Sequence, residues 1–294
     1  MRGLLFLACL PLLQADEQTQ EMIARVSEEA EAFQALAPQV LGKETLRQRA
    51  MKPPPRFRPR VGAAVGAPPP PEWQERNIVS EYGYASLAGV LHELRQVTAV
   101  DGRQVAEDKQ AQDALGKAIT ASDDERKKEV MKRFEKYGLR GAVTDFGQLL
   151  LLFTRREMGR YEFTPKGAEM LSGVRVLVFR YKQIDGPEAL TLIRADRGDR
   201  VVDLNIEGEI WVQADNYVPL RITLASQGLS GQPREEASVD YAMSPYGALL
   251  PTQTLHRELN AGKVTAENKF VYSDFHRFGA SSDIKFEAEP APGK

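Results

Sequence analysis

Val174-Arg175-Val176-Leu177-Val178-Phe179-Arg180-Tyr181 is rich in β-branched and aromatic residues and carries apolar side chains on both faces. That is the composition of a central strand, because both faces of its pleat are covered. From Tyr161 onward, runs of this kind follow one another with little but turns between them. Residues 190–193, 201–206 and 209–213 continue the series. Arg221-Ile222-Thr223-Leu224 and Val239-Asp240-Tyr241-Ala242-Met243 alternate in polarity, the period-two signature of a half-buried strand. Residues 254–259 and 263–278 flank Asn260-Ala261-Gly262, a hairpin loop with glycine at the left-handed position. Ile284-Lys285-Phe286 is expected to close the sheet. Close strands with short turns favour one continuous antiparallel sheet, curved or partly closed.

Working back toward the N-terminus, residues 77–84 and 91–100 read as an antiparallel pair, and Asp101-Gly102 is a strong turn signal after the second. A helical block over 106–158 then interrupts the strands. Ala111, Leu115, Ala118 and Ile119 recur at helical spacing. Ser122-Asp123-Asp124-Glu125 reads as a capping box opening a second helix, with Val130, Phe134 and Tyr137 on its apolar face. A third helix is expected from Thr144 or Asp145, burying Phe146, Leu149, Leu150 and Phe153.

Residues 16–37 predict an amphipathic helix with Met22, Ile23, Val26, Ala30 and Phe33 on one stripe, and a shorter helix is expected over 44–49. Eight of the nineteen residues from Pro53 to Pro71 are proline, and Lys52, Arg56, Arg58 and Arg60 make the first half basic. Repeated proline removes donors and fixes φ, so this stretch is expected to be extended and mobile. The expected organisation is a signal peptide at 1–15, an N-terminal helical segment at 16–50, a proline-rich linker at 51–75, a sheet domain at 76–286 and a flexible tail at 287–294. The fold class is α+β, a curved antiparallel half-barrel packed by helices.

Arg2, the apolar run from Leu4 to Leu13, and Ala15 followed by Asp16-Glu17 make a signal-peptide pattern, with an apolar core too short to span a bilayer. Export to the periplasm or beyond is therefore expected, with cleavage near Ala15. Cys9 is the one cysteine. Lipid attachment there is the weaker alternative, because few apolar residues precede it and the run continues past it. Charge is near balance, 39 basic against 41 acidic residues, which argues against a general nucleic-acid binder. Beyond the signal no run approaches the ~20 apolar residues of a transmembrane helix.

Gly208-Glu209-Ile210-Trp211-Val212, then Tyr217-Val218-Pro219-Leu220-Arg221-Ile222, Leu249-Leu250-Pro251, and Tyr272 through Phe278 form a succession of strands and turns. Over roughly residues 161–286 it resembles the periplasmic lipoprotein-sorting proteins of the LolA and LolB type. The resemblance implies a half-barrel whose concave face is covered by helices around a cavity for acyl chains. It maps no cargo-contacting residue onto this chain.

Catalytic chemistry is thin. His92, His256 and His276 are the three histidines, and none belongs to a zinc-protease pair. His256 and His276 fall on neighbouring predicted strands, where a metal pair is weighed against two ordinary strand histidines. Serine-elbow and phosphate-loop patterns do not occur. Asp196-Arg197-Gly198-Asp199 has too few spaced oxygens for a calcium loop and reads as a solvated turn. Glu207 and Glu209 are acids without the geometry that would make them a glycosidase pair. No cofactor is expected, and the protein is read as non-catalytic. Phe179, Tyr181, Trp211, Tyr241 and Tyr272, with Phe270, are the candidate lining of an apolar ligand site. The partners expected are a lipid or lipoprotein. The alternative is an envelope interaction module with a filled core, engaging another protein through residues 16–75.

Overall fold

A computed structural model describes residues 10–52, 71–139, 145–186, 190–194, 200–226 and 234–278. Helix α1 (Leu10–Leu36) leads into β1 (Val40–Met51), β2 (Trp73–Leu87), β3 (Val90–Val100) and the short β4 (Arg103–Gln104). Helices α2 (Asp108–Ile119) and α3 (Asp124–Glu135) follow, then a 3-10 segment at Leu149–Phe153. The remaining strands are β5 (Tyr161–Leu171), β6 (Val174–Gln183), β7 (Leu190–Arg194), β8 (Arg200–Leu204), β9 (Ile206–Gln213), β10 (Pro219–Ser226), β11 (Arg234–Met243), β12 (Leu249–Asn260) and β13 (Lys263–Arg277). Eleven of them form one open antiparallel sheet in the order β4-β3-β2-β1-β13-β12-β11-β10-β9-β6-β5. No helix among the described residues is long and apolar enough to cross a membrane.

The turn signals act as expected. Asp101 and Gly102 take φ of 48° and 77°, and Ala261 and Gly262 take 50° and 74°. Two left-handed residues in sequence match the twist of the flanking strands and close both hairpins.

Three expectations change. The helix expected over 44–49 is instead part of strand β1, set between β2 and β13. Glu44, Leu46, Gln48 and Ala50 are all buried, a period of two that polar residues disguise. The proline-rich stretch does not lead from a helical segment to a separate sheet. Met51 pairs with Trp73, and the Lys52 N–H donates to the Glu72 carbonyl at 2.8 Å, so the stretch joins two adjacent strands of one sheet. Its residues 53–70 lie outside the described set. The sheet is also not continuous, because β7 and β8 form a two-stranded sheet of their own. The signal residues 1–9, with Cys9, the Asp196–Asp199 turn, Ile284–Phe286 and the tail likewise fall outside the described residues.

The helical block differs in detail. Helix α3 is capped by Asp123, whose side chain accepts from the Glu125 N–H at 2.9 Å, so Ser122 stands one position too early. The third helix is the 3-10 segment, with Leu149, Leu150 and Phe153 buried as expected. Helix α1 packs against this segment through Met22, Val26, Ala30 and Phe33, each fully buried. Burying Met22, Val26 and Phe33 contributes about 1.5–3 kcal/mol each. Helix and 3-10 segment therefore belong to the same core as the sheet's inner face. Helix α2 lies on the opposite face. Leu115, Ala118 and Ile119 pack with Leu41, Ala85 and Leu94, the outward residues of β1, β2 and β3. The helices thus do not all cover one face, as the resemblance implied.

Candidate functional site

Cross-strand register puts most of the candidate aromatic residues on one face. Phe179 pairs with Ile210 and Tyr181 with Gly208, while Ile210 and Val239 flank Ile222. Phe179, Tyr181, Tyr241, Phe270 and Tyr272 are all buried on this inner face. Trp211 is not among them. It pairs with Val178 and Arg221 on the outer face, half-buried, where its indole N–H donates to Glu169. Its neighbours Ile210 and Val212 take the two inward positions that flank it.

The inner-face aromatics are covered by the chain itself. Phe153 sits edge-on to Tyr181 with ring centres 4.9 Å apart, and Tyr161 packs on the same ring at 5.7 Å. The Tyr241 hydroxyl accepts from the Leu150 N–H at 3.1 Å and donates to the Gly147 carbonyl at 3.0 Å. Phe33 of α1 lies edge-on to Tyr84 at 5.3 Å. Residues 145–153 thus occupy the concave side, and α1 closes over them.

A charged cluster is sealed into the same interior. The Arg95 Nε donates to both Glu44 oxygens at 2.8 Å, and its terminal nitrogen reaches Glu93 at 2.5 Å. All three side chains are at most 2% exposed. The guanidinium lies 5.1–5.4 Å from the ring centres of Tyr82, Phe134 and Phe270, a cation–π setting that favours charge on Arg95. Burial pushes the Glu44 and Glu93 carboxyls above the ordinary carboxylate range, against the pull of Arg95.

Glu93 and Asp145 hold each other by both ends. The Glu93 N–H donates to Asp145 Oδ1 at 2.8 Å, and the Asp145 N–H donates to Glu93 Oε2 at 3.0 Å. Asp145 Oδ2 also meets His92 Nδ1 at 2.9 Å, a hydrogen bond that raises the imidazole above its ordinary value. Among the described residues Glu93 Oε1 has no hydrogen-bond partner. This cluster escaped the sequence reading, which placed Glu44 in an expected helix and gave Glu93 and Arg95 no role. One signal was available: Glu93 and Arg95 share the parity of Leu91 and Val97, so both point inward.

His256 is also sealed. It lies between Glu235 at 2.8 Å and Asn268 at 3.0 Å, stacked on Phe146 at 4.4 Å. His276 is eight positions farther along β13 than Asn268, the register partner of His256, so the two histidines do not meet. Among the described residues no group of three or more histidine, cysteine or acidic side chains is arranged to hold a metal ion.

The outer face of β6 and β9–β12 carries an open trough of about 410 Å³. Gly208, Thr223, Ala225 and Ser238 are short and make its floor, and Arg180, Glu207, Glu209, Glu236 and Arg257 rise around it. Glu207 is paired with Arg180 at 2.7 Å, Glu209 with Lys166, and Glu236 with Arg234 at 3.3 Å. Each carboxylate is more buried than its cation, and of the three cations Arg180 lines the trough with the acids.

No protein-family model matches the chain, and no curated protein matches it. Among solved structures it is similar to a LolA superfamily protein from Nitrosomonas europaea, with 12% identity, a TM-score of 0.38, and 87% of this chain and 94% of that one covered. It is also similar to a DUF1329 family protein from Desulfovibrio piger, with 9% identity, a TM-score of 0.36, and 90% and 97% covered. A third is an outer membrane lipoprotein-sorting protein domain from Vibrio parahaemolyticus, with 10% identity, a TM-score of 0.36, and 89% and 95% covered. The lipoprotein-sorting resemblance read from residues 161–286 is met again in these structures; it is a similarity of fold, and no residue's role is taken from it.

Proposed function

We propose that the protein is an exported, non-catalytic protein of the cell envelope that works by surface contact with a partner protein, its sheet serving as a filled scaffold. The observation that carries this reading is the packing of the concave face. Phe153 and Tyr161 lie on Tyr181, Leu150 is tied to Tyr241, and α1 closes over both, so the chain occupies the space a carrier would keep for its cargo. Two further observations support it. The Glu44–Arg95–Glu93 cluster is buried beyond the reach of a substrate. The trough with its polar rim lies on the outer face, open to a partner. The order of residues 1–15 supports export. In this reading the basic stretch from Lys52 to Arg60 is an arm for the same partner.

A carrier of lipid or lipoprotein acyl chains is the second reading. One observation favours it: the short segment from Gly147 to Phe153 holds Tyr241 through Leu150 and Gly147 and covers part of Tyr181 through Phe153, so its movement would expose apolar ring surface. Photo-crosslinking separates the two. A crosslinker placed at Ala225 should give a discrete protein adduct in the envelope of cells that make the protein, and one at Leu150 should give none. Lipid adducts at Leu150, with nothing at Ala225, would reverse the choice.

A further inference from the structure

We propose that Glu93 holds a proton in the folded protein and that this proton, together with one on His92, latches residues 145–153 into the concave face. The argument begins with the count of charge. Arg95 supplies one positive charge, and its Nε and a terminal nitrogen both go to Glu44. Glu44 is compensated by that contact. Glu93 meets Arg95 through Oε2 alone, and Oε2 also accepts from the Asp145 N–H. Its other oxygen, Oε1, is buried without a partner among the described residues. A bare carboxylate oxygen in an apolar interior costs far more than a neutral hydroxyl in the same place.

The surroundings suit a carboxylic acid. At Gly147 a Cβ would stand 2.5 Å from Glu93 Oε1, 3.0 Å from the Tyr82 hydroxyl and 3.3 Å from the Tyr272 hydroxyl. The glycine leaves room for these three oxygens to gather, and a proton on Oε1 adds a carboxyl donor beside the two phenol hydroxyls. The groups that face Glu93 are Glu44 from β1, Tyr82 and Tyr84 from β2, His92 and Arg95 from β3, Asp145, Tyr241 from β11 and Tyr272 from β13. Burial holds the four tyrosines neutral, so they supply no charge.

With Glu93 protonated and His92 charged, Glu44 balances Arg95 and Asp145 balances His92. With both protons lost, the same groups carry two uncompensated negative charges. The reciprocal bracket between Glu93 and Asp145 then sets two carboxylates against each other. Asp145 leads directly into the 3-10 segment, and its φ of 69° is a left-handed conformation that its contacts must hold. Loss of the bracket therefore acts on the element that fills the concavity. Both shifts are upward, so both act in one direction. The folded state keeps these protons over a pH range where the unfolded chain has released them, and the stabilisation they provide falls as pH rises through the raised values. The latch holds in acid and loosens toward alkaline pH. It does so whether the concavity is a permanent scaffold or a site to be opened.

Hydrogen exchange of the full chain tests this, with rates corrected for their intrinsic pH dependence. Protection of the amides from Gly147 to Phe153 should fall about tenfold or more between about pH 5 and pH 9, one unit of pKa difference being worth a factor of ten. Amides in the β12–β13 hairpin should keep theirs. Glu93→Gln, neutral at every pH, should lose clearly less protection than the wild type at the alkaline end, with only the His92 proton left to titrate. A flat wild-type profile, or a Glu93→Gln profile that follows the wild type, would overturn the proposal. The infrared spectrum of the wild type gives a check that needs no variant. A protonated-carboxyl band should persist where surface carboxylates are ionised and vanish at higher pH. Absence of that band would overturn the proposal equally.

Discussion

The Tyr181 hydroxyl donates to the Thr223 carbonyl at 2.6 Å, reaching it across Gly208. Regular pairing between β9 and β10 lapses at this point: the Glu209 N–H donates to the Thr223 side chain at 3.0 Å, and Tyr181 takes the Thr223 carbonyl. The aromatic ring covers the glycine from inside, on the side where a Cβ would stand, and the glycine backbone borders the outer trough. One residue position thus links the filled interior to the open exterior.

Gly208→Ala is expected to destabilise the protein by about 3 kcal/mol, the upper end of ordinary overpacking. The added Cβ would stand 2.0 Å from the Thr223 carbonyl oxygen, and that is backbone, which cannot swing aside. Tyr181→Phe keeps the ring and loses one hydrogen bond, so about 1 kcal/mol is expected. Denaturant titration of both variants measures the difference; equal small losses would show that the strands can spread at this point.

Glu44→Gln removes the carboxylate that compensates Arg95 and leaves the guanidinium sealed among aromatic rings. Breaking one side of a buried pair costs about 3–5 kcal/mol. Glu93→Gln, by contrast, should cost less than half of that near neutral pH, because the proton it imitates is already there. Thermal unfolding of the two variants side by side reads the asymmetry, and equal losses would refute the assignment of the proton to Glu93.

Asp123→Ala should cost about 1 kcal/mol, the usual loss for an N-cap that accepts from the first turn. Ser122→Ala should stay within about 0.5 kcal/mol, as exposed substitutions do. Denaturant midpoints settle which residue caps α3.

Replacing residues 53–70 by a short glycine-containing turn should leave the fold intact. The ends are already joined by the Lys52–Glu72 hydrogen bond, and closing a shorter loop costs less entropy. An unchanged or slightly raised melting temperature is expected; a cooperative loss of structure would show that the segment supplies part of the core.

The sheet was legible wherever a strand buries apolar residues on its inner face or ends in a strong turn. Val174–Tyr181, the Asp101-Gly102 turn and the Ala261-Gly262 turn carry both signals locally. Strand β1 was not legible, because two of its inward residues, Glu44 and Gln48, are polar, and the strands that pair with it lie far away in sequence. The parity of Trp211 was hidden by apolar neighbours on both sides. The charged cluster was out of reach for a related reason: Glu44, Glu93 and Arg95 meet only through the register of β1, β2 and β3. The capping box misled by one position, since Ser122 and Asp123 both suit a cap and only the hydrogen bond to Glu125 decides between them.

Native mass spectrometry of the protein recovered from an envelope extract under lipid-retaining conditions tests the filled interior most directly. A concave face occupied by Phe153, Leu150 and α1 predicts a single mass equal to that of the polypeptide alone. A second species heavier by the mass of a lipid, lost on delipidation, would contradict the account.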